Sequence, residues 1–150
     1  MSQFFGNHEN RLDAKGRVSV PAPFRATMKS EASVISLILR PSYIPGCIEG
    51  WPQATYQQKW QEKLDRLDEF DPKREALATL LYSEAWMLET DREGRIMIPA
   101  ELVAHANLKD AVTFMGRGDH FHIWEPAAGT QFRQASRAMA PGYAPKVTSA

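Results

Sequence analysis

The spacing of apolar residues changes character several times along the chain. Arg17-Val18-Ser19-Val20 alternates polar and β-branched positions, the pattern of a half-buried strand. Pro21 has no amide donor and ends that ladder. A short helix is predicted over 23–29, a strand over 33–40, a turn over 41–46, and a second apolar segment over 47–52 that ends in Trp51-Pro52. The period then becomes helical. Tyr56, Trp60, Leu64 and Leu67 fall on one face, and Gln57, Lys59, Glu62, Lys63, Asp65 and Arg66 fill the other. Asp71-Pro72 breaks this pattern and caps a second helix, expected to be lined by Ala76, Leu77, Leu80 and Leu81. Strand alternation returns at Arg95-Ile96-Met97-Ile98. It is followed by a helix over 100–106, a strand over 111–115, a turn over 116–119 and an apolar segment over 121–126. A last helix is predicted over 127–139. The small, polar, Pro-containing residues 140–150 are expected to form a disordered tail.

This order of elements occurs twice. Residues 12–25 and 90–103 align at an offset of 78, with Asp13/Asp91, Gly16/Gly94, Arg17/Arg95, Pro21/Pro99 and Ala22/Ala100 identical. Val18/Ile96, Val20/Ile98 and Phe24/Leu102 keep apolar character. Identities at Asp, Gly, Arg and Pro are not explained by shared hydrophobicity, so the chain is read as a duplicated unit. In each copy Asp-x-x-Gly supplies turn chemistry. The carboxylate bonds nearby amides, and glycine takes a positive φ freely. Asp13, Gly16, Asp91, Gly94 and Arg95 are therefore turn-structuring candidates.

Composition narrows the function. With 43% hydrophobic and 24% charged residues, the 150-residue chain can build a core. No apolar run approaches the roughly 18 residues of a membrane span. The N-terminal residues lack the basic-then-apolar order of a signal peptide, so a cytoplasmic location is expected. Cys47 is the only cysteine, which excludes an intrachain disulfide and a cysteine-based zinc site and favours a small core residue. The formal net charge is zero, but the charge is unevenly spread. Residues 1–40 carry six Lys/Arg against three Asp/Glu, whereas residues 51–90 carry five against eight. No phosphate loop or nucleophile elbow is present. His120 and His122 form a His-x-His that could join Asp119 or Glu125 at a metal, but a third ligand has no motif. No enzyme activity, metal or cofactor is expected. An oligomeric scaffold binding a protein partner is the other alternative, suited by the acidic middle and by Trp51, Trp60, Trp86 and Trp124.

Leu12-Asp-Ala-Lys-Gly-Arg-Val-Ser-Val-Pro21 resembles the MraZ family of bacterial regulators of the division and cell-wall gene cluster. So do residues 88–99 and the segment Gly116-Arg-Gly-Asp-His-Phe-His-Ile-Trp-Glu-Pro126. The resemblance runs from about Phe5 to Glu125. It implies an α+β fold, a duplicated AbrB-like swapped-hairpin β-barrel arranged as a pseudo-dimer with flanking helices. On that reading one AbrB-like domain spans 7–54, a helical spacer 55–82, a second domain 83–126, a C-terminal helix 127–139 and a tail 140–150. It also implies a homo-oligomer, a closed ring, whose protomers contact direct repeats in promoter double-stranded DNA, in the cytoplasm and at the nucleoid.

Within the first turn, Lys15 and Arg17 flank Gly16 and can project from one protruding edge. Lysine serves a phosphate as a point charge, and arginine can also grip guanine O6 and N7 in a bidentate manner. Arg17 is the leading DNA-contact candidate. Lys15, Arg11 just before the turn, and Arg25 at the following helix are candidates for the flanking backbone. An ion pair between Arg17 and Asp13 is compatible with that role. The second turn has Glu93 in place of Lys15 and Val103 in place of Arg25. The first turn is therefore expected to dominate DNA contact, with the second mainly building the pseudo-dimer.

Overall fold

The computed structural model describes residues 3–29 and 34–144. The elements are β1 (Asn7–Arg11), β2 (Arg17–Ser19), α1 (Ala22–Met28), β3 (Ser36–Pro41), β4 (Ile48–Pro52), α2 (Gln53–Asp65) and α3 (Pro72–Ala78). They continue with a π-helical turn (Thr79–Ser83), β5 (Trp86–Glu89), β6 (Arg95–Met97), α4 (Ala100–His105), β7 (Ala111–Gly116), β8 (Phe121–Trp124) and α5 (Pro126–Met139). The fold is α+β with antiparallel sheets and five α-helices among the described residues. Ser33, where the strand over 33–40 was expected to begin, and 145–150 of the expected tail lie outside the described residues. Just before that point Tyr143 N donates to Ala140 O in a turn.

Six strands form one sheet in the order β1-β7-β8-β4-β3-β5. Under the 78-residue repeat β1 corresponds to β5, β3 to β7 and β4 to β8, so the order reads the same from either edge. Each half contributes a hairpin, β3–β4 or β7–β8. The strand that completes each hairpin comes from the other half: β1 pairs with β7, and β5 with β3. The remaining strands, β2 and β6, make a separate antiparallel ribbon with Val18 opposite Ile96. The two copies are thus interleaved.

Their core is shared for the same reason. Phe4, Val18, Phe24, Leu37 and Leu39 from the first half pack with Ile96, Leu102, Phe114, Phe121 and Ile123 from the second. Gly50 lies directly opposite Phe121, and the absent side chain makes room for that ring. The alternation of β3 sends Leu37 and Leu39 into this core and Ile38 to the other sheet face. There Ile38 and Trp51 meet Tyr56, Leu64 and Leu81 of the spacer helices. On the other half Met115 and Trp124 receive Ala128 and Phe132 of α5. Cys47 is buried in that cluster, and burial pushes its thiol up to about 11, so it is an inert core residue.

Asp71 caps α3, its side chain accepting from Lys73 N. The face expected for that helix needs correction. Leu77, Ala78 and Leu81 pack inward, whereas Ala76 is exposed and Leu80 is 45% exposed. The π-helical turn from Thr79 widens the helix by one residue and changes which side chains share a face. Leu67 lies past the end of α2 and is half-buried.

Candidate nucleic-acid interface

Each Asp-x-x-Gly-Arg stretch folds around its aspartate. In the first turn Asp13 Oδ1 accepts from Lys15 N at 2.9 Å and Arg17 N at 2.8 Å, and Oδ2 accepts from Arg17 Nε at 2.8 Å. Gly16 N donates to Asp13 O at 3.0 Å, with Gly16 at φ +83°. The second turn repeats these bonds. Asp91 Oδ1 accepts from Glu93 N and Arg95 N at 2.9 Å, and Oδ2 accepts from Arg95 Nε at 2.9 Å. The Arg17 backbone N–H, then its guanidinium and the Lys15 N–H, hold the Asp13 carboxyl below the usual carboxylate range; Arg95 and Glu93 do the same for Asp91. The aspartates face their own turns.

The ribbon sets the two turns side by side. Ile98 N donates to Gly16 O at 2.8 Å, and Val20 N donates to Gly94 O at 2.9 Å, so each turn is tied to the far end of the other copy's strand. A Cβ on Gly16 would sit 3.0 Å from Ile98 O, which is why that contact needs glycine. Strand alternation buries Val18 and Ile96 and turns Arg17, Ser19, Arg95 and Met97 outward. Arg17 pairs with Met97, and Arg95 with Ser19. The two arginines are therefore diagonal neighbours on one exposed face, about 7–8 Å apart at the backbone.

Their free donors differ. Arg17 is bound through Nε, and among the described residues no second carboxylate engages it. Arg95 Nη2 also reaches Glu93 Oε2 at 3.4 Å. Lys15 and Arg11 are exposed, Arg11 at the end of edge strand β1.

Arg25 does not stay with the turn it follows in sequence. Its Nε donates to Val20 O at 3.0 Å, and its side chain lies across Gly94, where a Cβ would meet Arg25 Cδ at 2.6 Å and Nη1 at 2.7 Å. Arg25, Lys29 and Arg92 line a groove of about 320 Å³ beside Asp91 and Gly94. At the first turn Val103 occupies the equivalent position, beside a groove of about 720 Å³ that Leu12, Gly16, Met97 and Lys109 also line. Reasoning from sequence missed both the shared face of Arg17 and Arg95 and the transfer of Arg25. Period-two alternation in both copies was the available signal for the first. Nothing local signalled the second.

His120 and His122 each have a partner within the protein. His120 Nδ1 bonds Asp119 Oδ1 at 2.8 Å and its ring stacks on Trp51, while His122 Nδ1 accepts from Trp124 Nε1 at 3.3 Å. Among the described residues no three His, Cys, Asp or Glu side chains gather as a metal site.

The chain matches a family model described as "MraZ protein, putative antitoxin-like" over residues 3–79 and 81–141. It is 49% identical over 142 residues to a protein named Transcriptional regulator MraZ from Gluconobacter oxydans, covering 93% of this chain and 86% of that one. To the protein of that name from Gluconacetobacter diazotrophicus it is 49% identical over 139 residues, with 91% and 87% covered. For Pelagibacter ubique the identity is 39% over 137 residues, with 91% and 87% covered.

Proposed function

The chain belongs to the MraZ family, and from that membership we propose that it is a sequence-specific DNA-binding transcriptional regulator of the bacterial division and cell-wall gene cluster. It performs no catalysis and uses no cofactor. The relatives' name supports the regulatory role. The observation that carries the DNA reading is the β2–β6 ribbon, which presents Arg17 and Arg95 on one exposed face between two Asp-braced turns. A two-stranded ribbon is narrow enough to enter the major groove, where arginine reads guanine. Arg17, with its guanidinium ends free, takes the base contact, while Lys15 and Arg11 neutralise phosphates beside it. Arg95 with Arg25 forms a second, weaker contact.

One chain of zero net charge binds DNA weakly, because affinity scales with the phosphates neutralised. Repetition in a closed homo-oligomeric ring raises the effective concentration of each further contact, and direct repeats in a promoter supply the matching sites. The interleaved sheet and ribbon support the AbrB-like swapped-hairpin barrel, a pseudo-dimer within one chain. The units 7–54 and 83–126, with the spacer 55–82, the helix 127–139 and the tail 140–150, make up one such assembly in the cytoplasm and at the nucleoid. No helix among the described residues is long and apolar enough to cross a membrane.

Footprinting on the DNA upstream of the protein's own gene tests this reading. Protection of evenly spaced short repeats is expected, with log affinity falling linearly against log salt by about 0.9 per phosphate contact. An unprotected promoter, or binding indifferent to salt, would overturn it in favour of an apolar protein partner.

A further inference from the structure

The sheet face opposite the ribbon carries a row of polar residues. Arg40, Glu49 and His122 are in register across β3, β4 and β8. Glu49 is 3% exposed and His122 1%. Buried polar groups are costly unless their bonds are made. Glu49 Oε1 accepts from Trp51 Nε1 at 3.0 Å, but the nearest guanidinium nitrogen, Arg40 Nη1, stands off at 3.9 Å. Arg40 Nε and Trp60 Nε1 are buried without a protein partner among the described residues. Apolar residues in such a row often serve stability equally well.

Two of the row, Glu49 and His122, border a cavity of about 400 Å³ between α2 and β8. That volume lies within the range of about 300–1,000 Å³ found for small-molecule sites. Glu49 and His122 line it with Trp51, Trp60 and His120. His120 stacks on Trp51 at 4.2 Å and 6°, and Trp60 meets Trp51 edge-on at 5.9 Å. Three cations, Lys59, Lys63 and Arg117, also line the cavity, with Tyr43 and Ile44. Lys59 is paired with Asp119 at 3.0 Å, but no carboxylate engages Lys63 or Arg117 among the described residues.

We infer that this cavity is a binding site for a nucleoside phosphate. The base edge faces Glu49 and His122, and the phosphate lies at Lys59, Lys63 and Arg117. A base edge alternates hydrogen-bond donors and acceptors. Glu49 supplies an acceptor. Because His122 Nδ1 accepts from Trp124, its proton sits on Nε2, which gives a donor beside that carboxylate. Trp51 is itself covered by His120, so the planar ring rests on the exposed face of Tyr43, which also lines the cavity, and clustered cations suit a phosphate. The site lies on the opposite sheet face from Arg17 and Arg95 and stands independently of the DNA reading.

Isothermal titration calorimetry on the full chain tests it, with the four ribonucleoside diphosphates, the free nucleosides and inorganic phosphate as separate titrants. Saturable binding of at least one diphosphate is expected, weakened about tenfold or more in a Lys63→Ala/Arg117→Ala variant. Glu49→Gln is expected to weaken the diphosphate and leave inorganic phosphate unaffected. Should Glu49→Gln not fold, the exposed double variant decides alone, with its circular dichroism and oligomeric state as controls. Absence of saturable binding for all four diphosphates would overturn the inference. So would phosphate alone binding as tightly, binding undiminished in the folded double variant, or a double variant whose assembly alone is altered.

Discussion

Replacing Arg25 with alanine asks which turn that residue serves. In sequence it follows the first turn, but in the fold it lies on Gly94 of the second. Arg25→Ala removes the bond from Nε to Val20 O and uncovers Gly94. A hydrogen bond from a charged donor contributes up to about 3 kcal/mol, and for a half-exposed side chain about 1 kcal/mol is the expected loss of stability. If Arg25 neutralises one phosphate, the salt slope falls by about 0.9 for each engaged chain, without relaxing sequence preference.

The sharper readout is coupling. Arg25 shares its groove with Asp91, Arg92 and Gly94, next to Arg95. Arg17 lies three residues from Val20, the partner of Gly94, about 10 Å along the strand. Neighbouring residues couple, and residues farther apart than about 7–10 Å add. Dissociation constants for Arg25→Ala, Arg95→Ala, Arg17→Ala and the two double variants are measurable by fluorescence anisotropy at fixed salt. Arg25 with Arg95 is expected to depart from additivity by about threefold or more, and Arg25 with Arg17 to add within about twofold. The reverse pattern would refute the placement of Arg25 and the strand exchange behind it.

Arg17→Ala is expected to weaken operator binding more than Arg95→Ala in the same titration, because Arg95 is also held by Glu93; equal losses would deny the first turn its lead. Burial holds His122 at about 3, helped by Arg117 and His120, so the unfolded chain takes up its proton first as pH falls through about 6.5. Stability is thus expected to drop by about 2 kcal/mol between pH 7 and pH 5 in urea titrations, and less in His122→Gln. The depressed Asp13 and Asp91 work in a lower window, with stability present above the ordinary carboxylate pKa and lost only as pH falls through their folded values. The turn amide signals in NMR spectra should therefore survive acidification past that ordinary value. Gly50→Ala places a methyl group against the Phe121 ring and is expected to cost about 1–3 kcal/mol by chemical denaturation.

Much of the architecture was legible because its determinants are local. Asp13, Gly16 and Arg17 fold on each other within five residues, and the same spacing at Asp91 announces the same turn. Alternation identified β2 and β6, and Asp71-Pro72 marked the start of α3. The inward face of the spacer was misjudged at Leu80, where the π-helical turn departs from the 3.6-residue period, a departure with no signature in hydrophobic spacing, and at Ala76, which the turn does not explain. The polar row of Arg40, Glu49 and His122 was equally hidden, since its members come from three strands and meet only through register.

The least legible feature follows from antiparallel pairing between the copies. When β2 and β6 run in opposite directions, the end of each strand lies beside the start of the other. A residue just after one strand therefore sits at the other copy's turn. Counted by repeat, the first turn holds both Lys15 and Arg25, and the second has Glu93 and Val103 in their places. Counted by position, each turn keeps one of the two cations. Lys15 stands with Val103 at the first, and Arg25 offsets Glu93 at the second. The asymmetry seen in the sequence is thus nearly evened out by the exchange. What still favours the first turn is the freedom of Arg17's guanidinium ends, and the comparison of Arg17→Ala with Arg95→Ala measures that difference.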